Sequence, residues 1–181
     1  MAVLEHIDRM DHRMCRAFNQ TLRWRLIHPF FTLISKAGDG PVWYALIVSL
    51  PIYAALTGHS HAHRAALVLT VAGLVGLTLY RNLKTRLARE RPFITYSDID
   101  CTHQPLDRYS FPSGHTLHAV MFTTIAVAWL PALSVVLIPL TGLIAVSRLV
   151  LGLHYPTDVI VGALIGFSLA QCALLISPPM H

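Results

Sequence analysis

Four windows of this chain contain no Asp, Glu, Lys or Arg: Pro41–Thr57, Ala65–Tyr80, Thr116–Ser147 and Val159–Met180. A membrane-spanning helix needs about 20 predominantly apolar residues, so each window is a candidate span. The third is too long for one helix, and Pro131, soon after Trp129, divides it. The pattern predicts five spans, at 41–58, 64–84, 115–130, 132–150 and 157–176. Gly73, Gly76, Gly142, Gly162, Ala163 and Gly166 fall inside them. Small residues let helices approach closely in lipid, where no hydrophobic force draws them together. Gly162 and Gly166 form a GxxxG pair, a pattern common enough by chance to carry little weight alone.

The first forty residues follow another rhythm. Leu4, Ile7, Met10, Met14, Phe18 and Leu22 recur at helical spacing, with Asp8, Arg9, His12, Arg13 and Arg16 on the opposite face. That two-faced pattern predicts an amphipathic helix on the membrane surface, the alternative being a helix packed on the protein's own loops. Leu26–Ser35 is apolar but short, bounded by Arg25 and Lys36 and interrupted by Pro29, and is expected to dip rather than cross. Ala37-Gly38-Asp39-Gly40-Pro41 is a turn that starts the first span. With no repeat, low-complexity tract or linker, one domain over 1–181 is expected: an interfacial segment at 1–40 and a bundle at 41–181. The fold class is all-α, an integral membrane bundle of about five transmembrane helices, or six if Leu26–Ser35 crosses, preceded by the amphipathic helix.

Composition narrows the class. Hydrophobic residues make up 54% of the chain and charged residues only 13%, about half the charged share of a soluble domain, which excludes an ordinary soluble monomer. A net charge of +5, with 11 histidines besides, suits a phosphate-rich partner or an anionic membrane surface without choosing between them. Cys15, Cys101 and Cys172 show no CxxC spacing, so neither a structural zinc nor a disulfide framework is indicated. Glu5, Asp8, Arg9, Asp11, Arg13 and Arg16 stand where a signal peptide would be apolar, so insertion is assigned to internal segments.

Charge returns in three places. Arg81, Lys84, Arg86, Arg89 and Arg91 crowd the end of the second span before Pro92. On a continuous helix Lys84 and Arg91 share a face, which reads equally as a phosphate site or as a basic collar that anchors the span. Phe111-Pro112-Ser113-Gly114-His115 opens the third span. Ser113 is a good N-cap, Gly114 permits close approach to the backbone, and the first-turn N–H groups form an anion site; a simple capping turn is the plainer reading. The run from Ser147-Arg148 to His154-Tyr155-Pro156-Thr157-Asp158 joins spans four and five. Pro156 and Asp158 are ordinary helix-start chemistry, but Arg148 and His154 at the same level are not explained by it. A carboxylate four residues after a histidine can orient its imidazole. By parity all three segments lie on one face of the membrane, whereas a collar would place charge at both ends of the spans.

These residues resemble the signature of the type 2 phosphatidic acid phosphatase (PAP2) superfamily: K-x6-R-P at Lys84 to Arg91-Pro92, P-S-G-H at Pro112 to His115, and S-R-x5-H-x3-D from Ser147-Arg148 to His154 and Asp158, with no departure. The small size resembles the bacterial membrane branch. The resemblance implies hydrolysis of a phosphomonoester or diphosphate without metal or other cofactor. It implies His154 as nucleophile forming a phosphohistidine, Asp158 holding its imidazole and His115 protonating the leaving oxygen. Lys84, Arg91, Arg148, Ser113 and the N–H of Gly114 are implied to bind the phosphoryl oxygens, which agrees with the dependence of phosphoryl transfer on positioned positive charge.

Family analogy points to a lipid phosphate as substrate: undecaprenyl diphosphate, phosphatidylglycerol phosphate, phosphatidic acid or lipid A phosphate, with residues 93–111 forming the loop that selects the headgroup. The runners-up are a membrane phosphatase for soluble or sugar phosphates and a non-catalytic lipid-binding or transport protein. Membrane lipids are expected partners, nucleic acid is not, and oligomeric state stays open. Arginine-rich ends favour the cytoplasm, but here the chemistry requires them, and the resemblance implies a bacterial inner-membrane protein with an extracytoplasmic site. Gly58-His59-Ser60-His61-Ala62-His63 reads as a polar connector rather than a metal site, and His118 as a residue packed inside the bundle.

Overall fold

The computed structural model describes residues 2–59, 61–101, 105 and 107–179, with only the backbone of residues 2–4. It contains eight α-helices: α1 (Ala2–Asn19), α2 (Ile27–Gly38), α3 (Pro41–Thr57), α4 (His61–Leu87), α5 (Pro92–Thr95), α6 (Gly114–Trp129), α7 (Ser134–Val150) and α8 (Pro156–Ile176). No strand occurs among the described residues. The five predicted spans correspond to α3, α4, α6, α7 and α8.

Among the described residues three helical stretches are long and apolar enough to cross a membrane: His61–Thr95, Pro131–Val150 and Pro156–Ile176. A fourth candidate is the α2–α3 pair, bent by 47°. Leu26–Ser35 therefore adds no separate sixth span; it lies in the first limb of this bent pair. The bend falls at Gly38-Asp39-Gly40, the predicted turn. The remaining predicted span, α6, has 16 residues and is about 24 Å long. It is the buried centre of the bundle, with Leu117, Ala119, Met121 and Ile125 wholly enclosed. Pro51 in α3 and Pro139 in α7 are accommodated inside their helices, as lipid-embedded helices permit when neighbours satisfy the freed backbone groups.

The GxxxG pair proves decisive for packing. A Cβ at Gly166 would lie 2.2 Å from the Leu117 carbonyl oxygen, and one at Gly162 would lie 2.6 Å from that of Ser113. Backbone meets backbone there, so α8 fixes the height of the first turn of α6. Along that contact Ser113 N–H donates to the Asp158 carbonyl at 3.1 Å.

Two expectations need correction. Lys84 and Arg91 do not share one helical face, because α4 stops at Leu87 and Ala88 takes a left-handed φ of 45°. The chain turns there and brings Arg91 back by another route. The second correction concerns α1. Ile7, Met10 and Met14 stay exposed as an apolar stripe, but the helix also docks on the protein's own loops through a third stripe, Asp11, Cys15 and Asn19, which is buried. Leu22 lies beyond the helix, in the turn Gln20–Arg23.

Candidate active site

The C-terminal end of α4, the N-terminal end of α6 and the α7–α8 turn meet on one side of the bundle, as parity predicted. Between them a cavity of about 350 Å3 opens, with Lys84, Arg91, Gly114, His115, Arg148 and His154 in its wall. Six of the eight sequence-predicted site residues thus come together. Ser113 and Asp158 stand behind the wall, both fully buried. Ser113 caps α6, its hydroxyl 3.0 Å from that of Thr116, so it positions the anion-binding turn rather than facing the cavity.

Asp107 occupies the cation cage. Its carboxylate receives Lys84 Nζ at 2.6 Å on both oxygens and a terminal nitrogen of Arg91 at 2.8 Å, while Arg91 Nε donates to its carbonyl at 3.0 Å. Burial works against that charge, but the Lys84 hydrogen bond and the two cations outweigh it and hold the carboxyl below the usual carboxylate range. An internal anion therefore sits where the sequence placed phosphoryl oxygens. Arg148 is 2% exposed; it donates to Ser35 of α2, and its Nε is buried without a partner among the described residues.

His154 lies in the turn between α7 and α8. Its Nε2 faces the cage, 3.4 Å from Arg91, and its Nδ1 faces Asp158 Oδ2 at 3.5 Å. Burial first, then the charges of Arg91, Arg148 and Lys84, hold its pKa well below 6.5, so the imidazole is neutral at neutral pH and keeps a lone pair. Asp158 Oδ2 also accepts from Tyr155 N–H at 2.8 Å, closing a capping box at the start of α8. His115, on the first turn of α6, pairs through Nε2 with Asp39, which the α2–α3 bend delivers to the cavity.

Sequence reasoning missed Asp39, Ser35, Asp11 and Arg89, and placed Asp107 only in a loop. One signal was available: Asp39 is a lone carboxylate between two glycines at the mouth of an apolar segment. His118 packs inside the bundle, as expected, with Nδ1 2.8 Å from the Gly114 carbonyl and its ring edge-on to Tyr80, but it also lines the cavity. Of the loop 93–111, residues 102–104 and 106 lie outside the described part, as does Ser60 of the histidine run.

Away from the cage, the cavity wall turns apolar. Trp43, Tyr44, Ile47, Leu74, Leu77 and Phe122 line it between α3, α4 and α6, and Tyr44 and Leu74 are exposed on the outside of the bundle. The chamber thus joins a cationic end near the helix termini to an apolar slot beside the lipid.

Three cations, a buried histidine and a carboxylate behind it thus converge at one end of a helical bundle. The chain belongs to the PAP2 superfamily, whose family model matches residues 63–179. It is similar to an undecaprenyl-diphosphatase of Sulfolobus acidocaldarius, 26% identical over 77% of this chain and 66% of that protein. It also matches phosphatidylglycerophosphatase B of Escherichia coli, 33% identical over 50% of this chain and 37% of that protein. Among solved structures, Aquifex aeolicus LpxE superposes with a TM-score of 0.79 at 29% identity, covering 92% of this chain and 95% of that one. A transmembrane PAP2-type phosphatidylglycerolphosphate phosphatase from Bacillus subtilis shares the fold, with a TM-score of 0.76 at 24% identity over 94% of this chain and 86% of that one. The chain is an integral membrane protein.

Proposed function

We propose that this protein is one catalytic unit that hydrolyses a lipid phosphate or lipid diphosphate through a phosphohistidine. The observation that carries the reading is the cavity itself: Lys84, Arg91 and Arg148 from three separate segments surround one end, and an apolar slot open toward lipid forms the other. A phosphate headgroup fits the first and an acyl or prenyl chain the second. A soluble sugar phosphate has no use for the slot.

In the proposed reaction the phosphate displaces the Asp107 carboxylate from the cage. His154 Nε2 attacks phosphorus in line while the bond to the leaving oxygen breaks and His115 gives that oxygen its proton. Water then attacks the phosphohistidine, returning a proton to His115 and releasing inorganic phosphate. Asp158 orients His154 and stabilises the charge it acquires. Lys84, Arg91, Arg148 and the N–H groups at Gly114 stabilise the charge on the equatorial oxygens, with Ser113 fixing the turn that presents them. Because those cations are built in, activity is expected to persist in EDTA, and vanadate is expected to inhibit as a mimic of the in-line transition state.

The exposed stripe of Ile7, Met10 and Met14 beside the docked face of α1 supports the reading of residues 1–40 as an interfacial segment. The α2–α3 pair counts as one span, so the amino terminus lies on the active face and the carboxyl terminus opposite. We place the active face outside the cytoplasm, in a bacterial inner membrane. Release of phosphate from detergent-dispersed lipid phosphates at a kcat/KM well above that for soluble esters tests the substrate class. Equal rates on both, or loss of turnover in EDTA restored by Mg²⁺, would overturn it.

A further inference from the structure

Arg89 is neither a position of the K-x6-R-P pattern nor part of the cavity wall, yet it is wired to the carboxylate behind the nucleophile. One terminal nitrogen donates to Asp158 Oδ1 at 2.8 Å and to the Thr157 hydroxyl at 2.7 Å; the other donates to Asp11 Oδ2 at 2.8 Å. Its guanidinium lies 3.9 Å over the Tyr155 ring. Asp11, in α1, accepts in turn from Thr157 N–H at 3.1 Å and from the Thr157 hydroxyl, so a carboxylate from α1 satisfies the first turn of α8.

The rest of the same stripe grips the segment that carries His154. Burial, then the charges of Asp11 and Asp158, push the Cys15 thiol up to about 12, so it stays protonated and donates to the His154 carbonyl at 3.2 Å. Asn19 donates to the carbonyls of Val150 at 3.0 Å and Asp100 at 2.8 Å, and accepts from Asp100 N–H. Gly152, with φ of 69°, makes room: a Cβ there would lie 3.1 Å from the Asn19 amide nitrogen and 2.7 Å from the Asp100 carbonyl. Helix α1 lies wholly ahead of residues 63–179, the span of the family match.

We propose that Arg89, anchored by Asp11 of α1, is a positioning residue that fixes Asp158 and through it His154, which makes α1 part of the catalytic apparatus. The inference rests on the phosphohistidine reading above. Asp158 and Asp11 are 0% and 2% exposed, and a buried carboxylate is retained only if paired. One planar guanidinium serves both, which a point charge cannot do. Asp158 Oδ1 is pinned by Arg89, so the carboxylate cannot rotate, and Oδ2 is left facing both Tyr155 N–H and His154 Nδ1. Without Arg89, only Tyr155 N–H holds the carboxylate, through Oδ2, and the alignment of Oδ2 with His154 Nδ1, 3.5 Å away, loosens.

The test uses full-length protein in detergent, with Arg89→Gln, Arg89→Lys, Asp11→Asn and the double variant Asp11→Asn/Arg89→Gln. Arg89→Gln is expected to lower kcat about 100-fold and Asp11→Asn about 10-fold, magnitudes ordinary for a group that orients a nucleophile. Competitive inhibition by inorganic phosphate should change less than about twofold, because the phosphate cage is untouched. The double variant should be no worse than Arg89→Gln, since the two side chains form one network, and Arg89→Lys should recover only part of the rate. Independently of turnover, carbethoxylation of His154 by diethyl pyrocarbonate, read by peptide mass spectrometry at pH 7, should slow about fivefold in Arg89→Gln. Equal labelling of wild type and Arg89→Gln, multiplying losses in the double variant, or affinity for inorganic phosphate falling in step with kcat would overturn the positioning role. A wild-type protein that releases no phosphate would instead overturn the proposed function, and the labelling comparison would still be read. Should Arg89→Gln fail to fold, the isosteric Asp11→Asn decides, and a wild-type kcat in it refutes the inference.

Discussion

The cavity holds two histidine–carboxylate pairs that are built in opposite ways. His154 and Asp158 are four residues apart, both fully buried, and their carboxylate is itself held by Arg89 and Tyr155 N–H. His115 and Asp39 are 76 positions apart, the histidine on a helix and the carboxylate at the bend between α2 and α3. The first pair is rigid and sits beneath the cage. The second exists only because α2 and α3 change direction beside α6. A nucleophile must be aligned to a fraction of an ångström, which a short turn locked by a capping box provides. A proton donor must meet leaving groups of several shapes, which a pair at the cavity wall allows.

The comparison breaks most severely at the nucleophile. His154→Ala is expected to lose on the order of 10⁴-fold in kcat on every substrate, because no proton donor replaces the attacking atom; a phosphoenzyme trapped under mildly alkaline conditions should vanish with it. His115→Ala should lose about 10³-fold on a lipid phosphate but only about 10-fold on p-nitrophenyl phosphate, whose leaving oxygen hardly needs a proton. If His115→Ala is dead on both substrates while His154→Ala is rescued by the good leaving group, the two roles are exchanged. Arg91→Lys should cost about 10²-fold, because Arg91 uses all three nitrogens, on Asp107 and on the Leu153 carbonyl, and a point charge cannot.

Smaller effects sharpen the contrast. Asp39→Asn should lower kcat about 10-fold on poor leaving groups and little on p-nitrophenyl phosphate, since Asp39 orients the imidazole that protonates the leaving oxygen. The acid limb of kcat/KM tests the other pair. His154 is held well below 6.5 by burial and the surrounding cations, so it stays neutral as pH falls through 6.5, and the midpoint of the limb should lie below that value. The same depression makes charging His154 unfavourable to the fold, so its effect on stability is absent above pH 6.5 and grows as pH falls below it. Gly166→Ala should leave the cage chemistry in place but cost about 2–3 kcal/mol in thermal or denaturant unfolding, because the added methyl meets the Leu117 carbonyl.

Most of the bundle was legible in the chain because lipid imposes simple rules: charge-free windows became helices, and Pro131, Gly40 and Pro156 marked their limits. The cage residues were legible because each motif is local, and helix parity sufficed to put three motifs on one face. Where a prediction depended on a helix continuing, it failed, since the left-handed turn at Ala88 is a backbone choice that Ala does not announce. Tertiary structure alone decided the partners of the motif residues: Asp39 for His115, Asp107 for Lys84 and Arg91, Ser35 for Arg148, and Asp11 with Arg89 for Asp158. A periodic pattern tells which face of α1 is apolar, but not that Asp11, Cys15 and Asn19 find hydrogen-bonding groups on the α7–α8 turn. A buried ionic group is stabilised by whichever opposite charge the fold brings within reach, and across separations of tens of residues only the packing of the helices sets that reach.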